Sequence, residues 1–269
     1  MTILQAMLLG IIQGLTEFIP ISSTGHLLIA QSIMGIPPGD ATFAFLVLVQ
    51  VGTIVSLAIN FWKDLVSIFK AFFAKPMSSQ ENRLGWFILI ATAPALLAGL
   101  LLNNAVEALF KFPLIEASIR LFTAAVLMSL AEYFGKRVRT IADMTWLDAL
   151  FIGVLQVLAV FPGASRSGTT ISAGLFRGFD RTSAARFAFL MSVPVMVAAG
   201  AYELLDILKI PDLASFLPVL AAGFITAAVV GWLAIKWLMK YLSSHSLYVF
   251  AIYCAIMGSL ILVYGLTTL

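Results

Sequence analysis

Six stretches of the chain are long and apolar enough to cross a lipid bilayer as helices. A helix needs about 20 apolar residues to span the hydrocarbon core. The stretches that meet this length are residues 41–61, 86–103, 117–135, 184–207, 215–239 and 247–268. We therefore predict an all-α polytopic membrane protein with six transmembrane helices, in a single integral membrane domain covering residues 1–269.

Two further apolar stretches, residues 1–34 and 146–178, are interrupted in the middle by FIPISSTGH and FPGASRSGTT. Pro, Ser and Gly at these points break a continuous helix. Each stretch is predicted to form a re-entrant hairpin, which is a helix, a turn and a second helix that leaves the membrane on the side it entered. Non-helical backbone at membrane depth is stable when protein or a water-filled cavity surrounds it, so both interruptions are expected to point inwards.

The two interrupted stretches also resemble each other at a shift of 143 residues. The matches are Gly10, Gln13, Leu15, Phe18, Ser22 and Gly25 with Gly153, Gln156, Leu158, Phe161, Ser165 and Gly168. Three predicted spans separate the hairpins, so the second unit is inserted in the opposite direction. We predict an inverted-topology repeat with units of approximately 1–135 and 146–269. Chance similarity between apolar segments is the alternative, and the matched polar residues disfavour it.

Composition agrees with a membrane protein, since 61% of residues are hydrophobic and 11% charged, against about a quarter charged in soluble domains. The net charge of +3 is too small to indicate nucleic-acid binding.

The basic residues are distributed unequally between the two faces of the predicted layout. One face holds Lys63, Lys70, Lys75, Arg83, Lys136, Arg137, Arg139, Arg177, Arg181, Arg186, Lys236 and Lys240, and the other holds Lys111 and Lys209. Basic residues accumulate in cytoplasmic loops, so the first face is predicted to be cytoplasmic, with both termini outside.

The first interruption carries residues typical of a functional site. Gln13 and Glu17 are four apart and share one helix face, and a carboxylate within the membrane indicates function unless a hydroxyl or an arginine satisfies it. Ser22, Ser23, Thr24 and Gly25 then open the next helix, where hydroxyls cap the helix and free amides attract an anion. Capping alone would explain one serine. His26 lies within reach of Ser23 for a serine–histidine pair, although it could also be a hydrogen-bonding packing group.

The second interruption places Arg166 among Ser165, Ser167 and Gly168. An arginine at membrane depth needs an anionic partner, and its planar fork suits a phosphate. A resting salt bridge to Glu17 is the alternative, and substrate could displace it. Glu116 and Arg120 are interpreted as a local ion pair. The acidic residues are too few for a closed metal cage, so substrate phosphates would supply part of any divalent-cation site. The residues alone predict a membrane site for a phosphorylated anion.

The segments QGLTEFIPISSTGH (residues 13–26) and PGASRSG (residues 162–168) resemble the signature motifs of the undecaprenyl-pyrophosphate phosphatase family, the bacitracin-resistance proteins. The similarity covers the whole chain in length and span layout. The serine, histidine and arginine of the family motifs fall on Ser23, His26 and Arg166. Substrate-binding roles are expected for Ser22, Thr24, Gly25, Ser165, Arg166, Ser167 and Gly168.

This resemblance implies an enzyme of the bacterial cytoplasmic (inner) membrane with an outward-facing site. It would hydrolyse undecaprenyl pyrophosphate to the monophosphate carrier of peptidoglycan synthesis and so confer bacitracin resistance. The resemblance also implies a divalent cation, Mg²⁺ or Ca²⁺, near Glu17 and Gln13. Expected partners are the lipid substrate, membrane lipids and, as an open alternative, a second copy of the chain in a homodimer.

The expected chemistry is attack of Ser23 on the terminal phosphorus, with His26 as general base and later acid. Arg166 and the helix-terminus amides would hold the phosphoryl oxygens, and Glu17 would position a metal ion or water. Direct attack by water with the help of Glu17 stays open. A transporter or lipid-phosphate flippase is the alternative function, because inverted repeats with broken helices are characteristic of secondary transporters.

Overall fold

Helices make up most of the chain that the computed structural model describes, which comprises residues 1–107, 113–160, 164–207 and 213–267. In order they are α1 Ile3–Phe18, α2 Ser23–Ile33, α3 Asp40–Asn60, α4 Trp62–Phe72, α5 Gln80–Glu107, α6 Pro113–Phe134, α7 Trp146–Gln156, α8 Arg166–Phe176, α9 Arg181–Ile207, α10 Leu213–Leu242 and α11 Tyr248–Thr267. Two 3₁₀ turns, Ile141–Asp143 and Val157–Ala159, flank α7. No β-strand occurs in these ranges, which confirms the all-α prediction.

Six of the described helices have the length and composition to cross a membrane. These segments are Ala41–Asn60, Gln80–Leu101, Leu114–Phe134, Arg181–Ala201, Phe216–Leu242 and Tyr248–Thr267. They lie where the six apolar stretches predict them, so the prediction of six transmembrane helices is confirmed.

Helix α4 lies in a segment that hydropathy leaves between spans. It carries exposed Trp62 and Phe69, interspersed with Lys63 and Lys70, and packs against α5. Aromatic and basic residues on a short amphipathic helix are typical of a helix that lies in the membrane interface. The sequence of such a helix contains no apolar stretch of spanning length, because only one face of the helix is apolar.

Both interrupted stretches break where the sequence predicts. Helix α1 ends at Phe18, Ile19 adopts an extended conformation, and α2 begins after Ser22, which has a left-handed backbone with φ of 69°. Helix α7 ends at Gln156, and α8 begins after Ser165. Helices α1 and α2 pack together, as do α7 and α8. Re-entry of each hairpin into the membrane stays a prediction, as does the inverted repeat.

The first helix of each hairpin packs against a span from the other half of the chain. Helix α1 packs against α10, and α7 packs against α5. Close approach depends on glycine: a Cβ atom at Gly10 would lie 2.5 Å from the carbonyl oxygen of Gly223. Gly153, which matches Gly10 in the repeat, lies in the same way against the backbone of Ala91. Small residues allow such backbone contacts between membrane helices. The first helix of each predicted repeat unit therefore uses a glycine at the matching position to approach a span of the other unit.

An ion pair joins the two ends of the second hairpin. Asp148 near the start of α7 accepts a hydrogen bond of 2.6 Å from Nε of Arg177 at the end of α8. Arg139 donates to both carboxylate oxygens of Asp148, at 3.0 and 2.6 Å. Burial by itself raises the pKa of Asp148, but the hydrogen bonds from Arg139, Thr145 and Arg177 outweigh it and hold that pKa well below its usual range. The start of α7 therefore lies beside the end of α8, as a hairpin requires.

Candidate active site

The two polar interruptions meet at one cavity of about 250 Å³. Its lining includes Glu17, Ser22, Ser23 and Thr24 from the first interruption and Ser165, Arg166 and Ser167 from the second. The cavity also contacts α3, α5, α6, α7 and α9 through other lining residues. Segments more than a hundred residues apart in the chain thus form one polar site inside an apolar protein.

Glu17 is the residue on which both interruptions converge. Its side chain is buried, and Oε2 accepts hydrogen bonds from Nε2 of Gln13 at 2.7 Å and from Oγ of Ser23 at 2.8 Å. Its other oxygen, Oε1, forms an ion pair with Arg166. The spacing of four residues on α1 places Gln13 beside Glu17 as predicted. The salt bridge between Arg166 and Glu17, which the sequence leaves as an alternative, is formed.

The first turn of α2 has amide groups without a side-chain cap. Ser22 makes no capping hydrogen bond, and the hydroxyl of Ser23 is donated to Glu17 instead. In α8, by contrast, Ser165 does cap, because its Oγ accepts from the amide of Gly168 at 3.3 Å. Uncapped amides at a helix N-terminus attract anions, so the start of α2 offers donors to a phosphate group.

His26 contacts Tyr253 of α11 and does not line the cavity. Its Nδ1 lies 2.9 Å from the carbonyl oxygen of Ser22, and its Nε2 lies 2.7 Å from the hydroxyl of Tyr253. Because a carbonyl oxygen accepts hydrogen bonds, Nδ1 donates and Nε2 accepts from Tyr253. The two rings also stack, with centroids 5.7 Å apart. The hydrogen bond between Ser23 and His26 that the sequence suggests is not made here, since both ring nitrogens have other partners.

The remaining predicted residues lie around the cavity and do not line it. Gly25 is buried on α2 and Gly168 is buried on α8. Gln13 is also buried and reaches the site through Glu17.

Three polar residues outside the two interruptions, not predicted as site residues, also line the cavity: Gln50, Arg120 and Gln156. Arg120 interacts electrostatically with Glu116, as the sequence suggests, but its position on α6 also brings it to the cavity. An arginine within a predicted span is a detectable signal, because such a charge is costly in a membrane. Gln156 also has a signal in the sequence, because the predicted repeat aligns it with Gln13. Gln50 has no comparable signal in the sequence.

The charge of the lining suits an anion. Two guanidinium groups, Arg120 and Arg166, and one carboxylate, Glu17, are the charged groups among the described residues that line the cavity. Their formal sum is positive, and a positive charge in a low-dielectric site attracts phosphate groups strongly.

A family model described as bacitracin resistance protein BacA matches residues 6–260 of the chain, a range that contains both motifs. The chain belongs to the BacA family. Curated relatives of the chain carry the name undecaprenyl-diphosphatase. The protein from Methanosphaera stadtmanae is 39% identical over 270 residues, covering 95% of this chain and 95% of its own. Those from Chlorobium phaeovibrioides and Myxococcus xanthus are 40% and 41% identical, covering 97% and 98% of this chain and 96% and 89% of their own.

Proposed function

We infer that this membrane protein is an undecaprenyl-diphosphatase, which hydrolyses undecaprenyl pyrophosphate to undecaprenyl phosphate and phosphate. The observation that carries this inference is the set of contacts joining Ser23, Glu17 and Arg166 at one cavity. A nucleophile, a carboxylate and a phosphate-binding guanidinium are the groups that phosphoryl transfer requires. The shared name of the BacA-family relatives supports the same activity. Its product is the lipid carrier that peptidoglycan synthesis reuses.

Substrate binding begins with exchange of an ion pair. The carboxylate of Glu17 holds Arg166 in the resting site, and a pyrophosphate group with several negative charges competes for the same guanidinium. Arginine binds two phosphoryl oxygens in one plane. Ser23 and Thr24 at the start of α2 line the same cavity, and their uncapped amides would donate to the terminal phosphate.

Ser23 is proposed as the nucleophile. Its Oγ attacks the terminal phosphorus, the bond from phosphorus to the bridging oxygen breaks, and undecaprenyl phosphate leaves with the electron pair of that bond. Water then attacks the phosphoserine and releases inorganic phosphate. Glu17 already accepts the hydrogen bond of Ser23 at 2.8 Å, so it can take the proton without rearrangement.

His26 keeps the role of general base and acid if its ring leaves Tyr253 and turns towards Ser23. That movement exchanges two hydrogen bonds and a ring contact. Direct attack by water on the phosphorus, with Glu17 as the base, is the second route that the geometry allows. Substitutions of Ser23, Glu17 and Tyr253 distinguish these roles.

A divalent cation, Mg²⁺ or Ca²⁺, is proposed as the cofactor. In the part of the chain that the structure describes, no three His, Cys, Asp or Glu side chains group as metal ligands. Glu17 and the amide oxygen of Gln13 would hold such a cation together with substrate phosphates, which is how Mg²⁺ is commonly bound. Such a cation supplies charge neutralisation at the phosphoryl oxygens.

The proposed location is the bacterial cytoplasmic membrane, with the cavity open to the outside. The Arg-rich ends of α6, α8 and α9 support this orientation. Arg137 and Arg181 bind Glu132, and Arg139 and Arg177 bind Asp148, which gathers arginines at the end predicted to be cytoplasmic.

Phosphate release from a polyprenyl pyrophosphate tests the proposed function against the transporter alternative. The protein is purified in detergent and given the lipid with Mg²⁺, and inorganic phosphate is measured. We expect turnover in the wild-type protein and little in Glu17→Gln, which keeps the side-chain size but removes the charge. A wild-type protein that moves the lipid between leaflets of a vesicle and releases no phosphate would be a flippase.

A further inference from the structure

Gln156 is a buried amide side chain that points into the cavity without a partner in the protein. It lies at the end of α7 and is 2% exposed. Neither Nε2 nor Oε1 makes a hydrogen bond, yet the side chain lines the cavity. A buried polar group without a partner destabilises the folded state. Retaining one at a cavity indicates that a ligand supplies the missing partner.

Gln13, the counterpart of Gln156 in the predicted repeat, differs from it in hydrogen bonding. The two glutamines correspond in the repeat, but Gln13 donates its amide to Glu17 at 2.7 Å. One glutamine thus supports the catalytic carboxylate, while its counterpart keeps both polar atoms available. Gln13 lies behind Glu17 and does not line the cavity, whereas Gln156 does line it.

Arg120 supplies charge to the same cavity from α6. Its electrostatic partner Glu116 is not among the described residues that line the cavity. Arg166 lines the cavity as well and forms an ion pair with Glu17. Arg120 therefore gives the lining a second guanidinium group, on a different helix from Arg166.

We propose that Gln156 and Arg120 bind the phosphate group that stays on the lipid, while Arg166 and the start of α2 bind the terminal phosphate. The proposal rests on the proposed function, because a pyrophosphate presents two phosphate groups to one cavity. The contacts around Ser23 assign the terminal group to the wall of Glu17 and Arg166, since attack occurs there. Nε2 of Gln156 then donates to an oxygen of the second phosphate, and Arg120 balances its charge.

The variant Gln156→Leu tests the proposal, because leucine fills a similar volume without polar atoms. We expect the KM for polyprenyl pyrophosphate to rise at least about tenfold, as for loss of a hydrogen bond to a charged group, with a smaller change in kcat. The melting temperature of the purified protein should stay equal or rise, since the variant removes a buried unpaired amide. Gln156→Met is a second variant with an unbranched chain.

Ser172→Ala is the matched control. Ser172 on α8 is fully buried, and its hydroxyl also has no hydrogen-bond partner, but it does not line the cavity. We expect its KM to equal that of the wild type. If both Gln156 variants lower the melting temperature and leave KM unchanged, Gln156 is structural and the proposal is wrong.

Product inhibition identifies which phosphate Gln156 contacts. Inhibition of turnover by a short-chain prenyl monophosphate should weaken about tenfold in Gln156→Leu, while inhibition by inorganic phosphate should change by less than about twofold. The reverse result would place Gln156 at the terminal phosphate and overturn the assignment. If the wild-type protein is active and the Gln156 variants keep its KM, only this inference is wrong. If the wild-type protein releases no phosphate, the proposed function is wrong as well.

Discussion

The hydroxyl of Ser23 donates a hydrogen bond of 2.8 Å to the carboxylate of Glu17, across the break between α1 and α2. This contact orients Oγ at the cavity and places a carboxylate oxygen next to its proton. It also links the first interruption to the second, because the same carboxylate pairs with Arg166. Substitutions of Ser23 and Glu17 should therefore distinguish attack by the serine from direct attack by water.

Ser23→Ala should lower phosphate release by about 10²-fold or more if Ser23 is the nucleophile, while binding of the lipid pyrophosphate changes little. If water attacks directly, the variant loses a hydrogen bond of about 1 kcal/mol, which is about a fivefold effect. Glu17→Gln should then be the most damaging change. Turnover and lipid binding are measured on the same detergent preparation. Retention of more than about a tenth of wild-type turnover would exclude the serine route.

Tyr253→Phe tests the role of His26. The change removes the hydroxyl that donates to Nε2 and leaves the ring contact between the two side chains. If His26 is the base, a freed Nε2 turns to Ser23 more readily, and kcat should stay equal or rise. If His26 holds the start of α2 in place, kcat should fall several-fold. Comparison with His26→Asn, whose amide can still donate to the Ser22 carbonyl, separates orientation of the helix from proton transfer.

Arg166→Lys should lose most activity although the charge is kept. A lysine ammonium is a point charge and cannot hold two phosphoryl oxygens in one plane, as a guanidinium does. The KM for the pyrophosphate lipid should rise and kcat should fall. Arg177→Lys, the same substitution in the ion pair with Asp148 at the other end of α8, should keep nearly normal turnover. Near-normal turnover of Arg166→Lys itself would show that Arg166 is a structural counter-ion of Glu17.

Cysteine labelling tests the predicted topology. Cys254 is buried on α11, so Cys254→Ala gives a background without a native thiol. Ser78→Cys, in the exposed segment between α4 and α5, should react with an impermeant reagent after the membrane is opened and not before. Pro38→Cys, in the exposed segment before α3, should react from the outside in intact cells. Labelling of position 78 from the outside would refute the orientation.

Local patterns of the sequence determined the six membrane-spanning helices and the places where the two interrupted stretches break. Apolar length fixed the six spans because the bilayer imposes one thickness on every crossing helix. Pro20 and the adjoining serines fixed the first break because their backbone preferences act on neighbouring residues. The same holds for Gln13 and Glu17, whose spacing of four residues places them on one face of any α-helix.

Contacts between distant segments were decided by the tertiary structure. The sequence suggested His26 as the partner of Ser23, but the fold brings Tyr253 to His26 and leaves Ser23 with Glu17. It also brings Arg120 and Gln156 to the cavity. These relations depend on how α6, α7 and α11 pack around the hairpins. Because no local periodicity encodes which faces of separate helices meet, three-dimensional packing alone determines these neighbours.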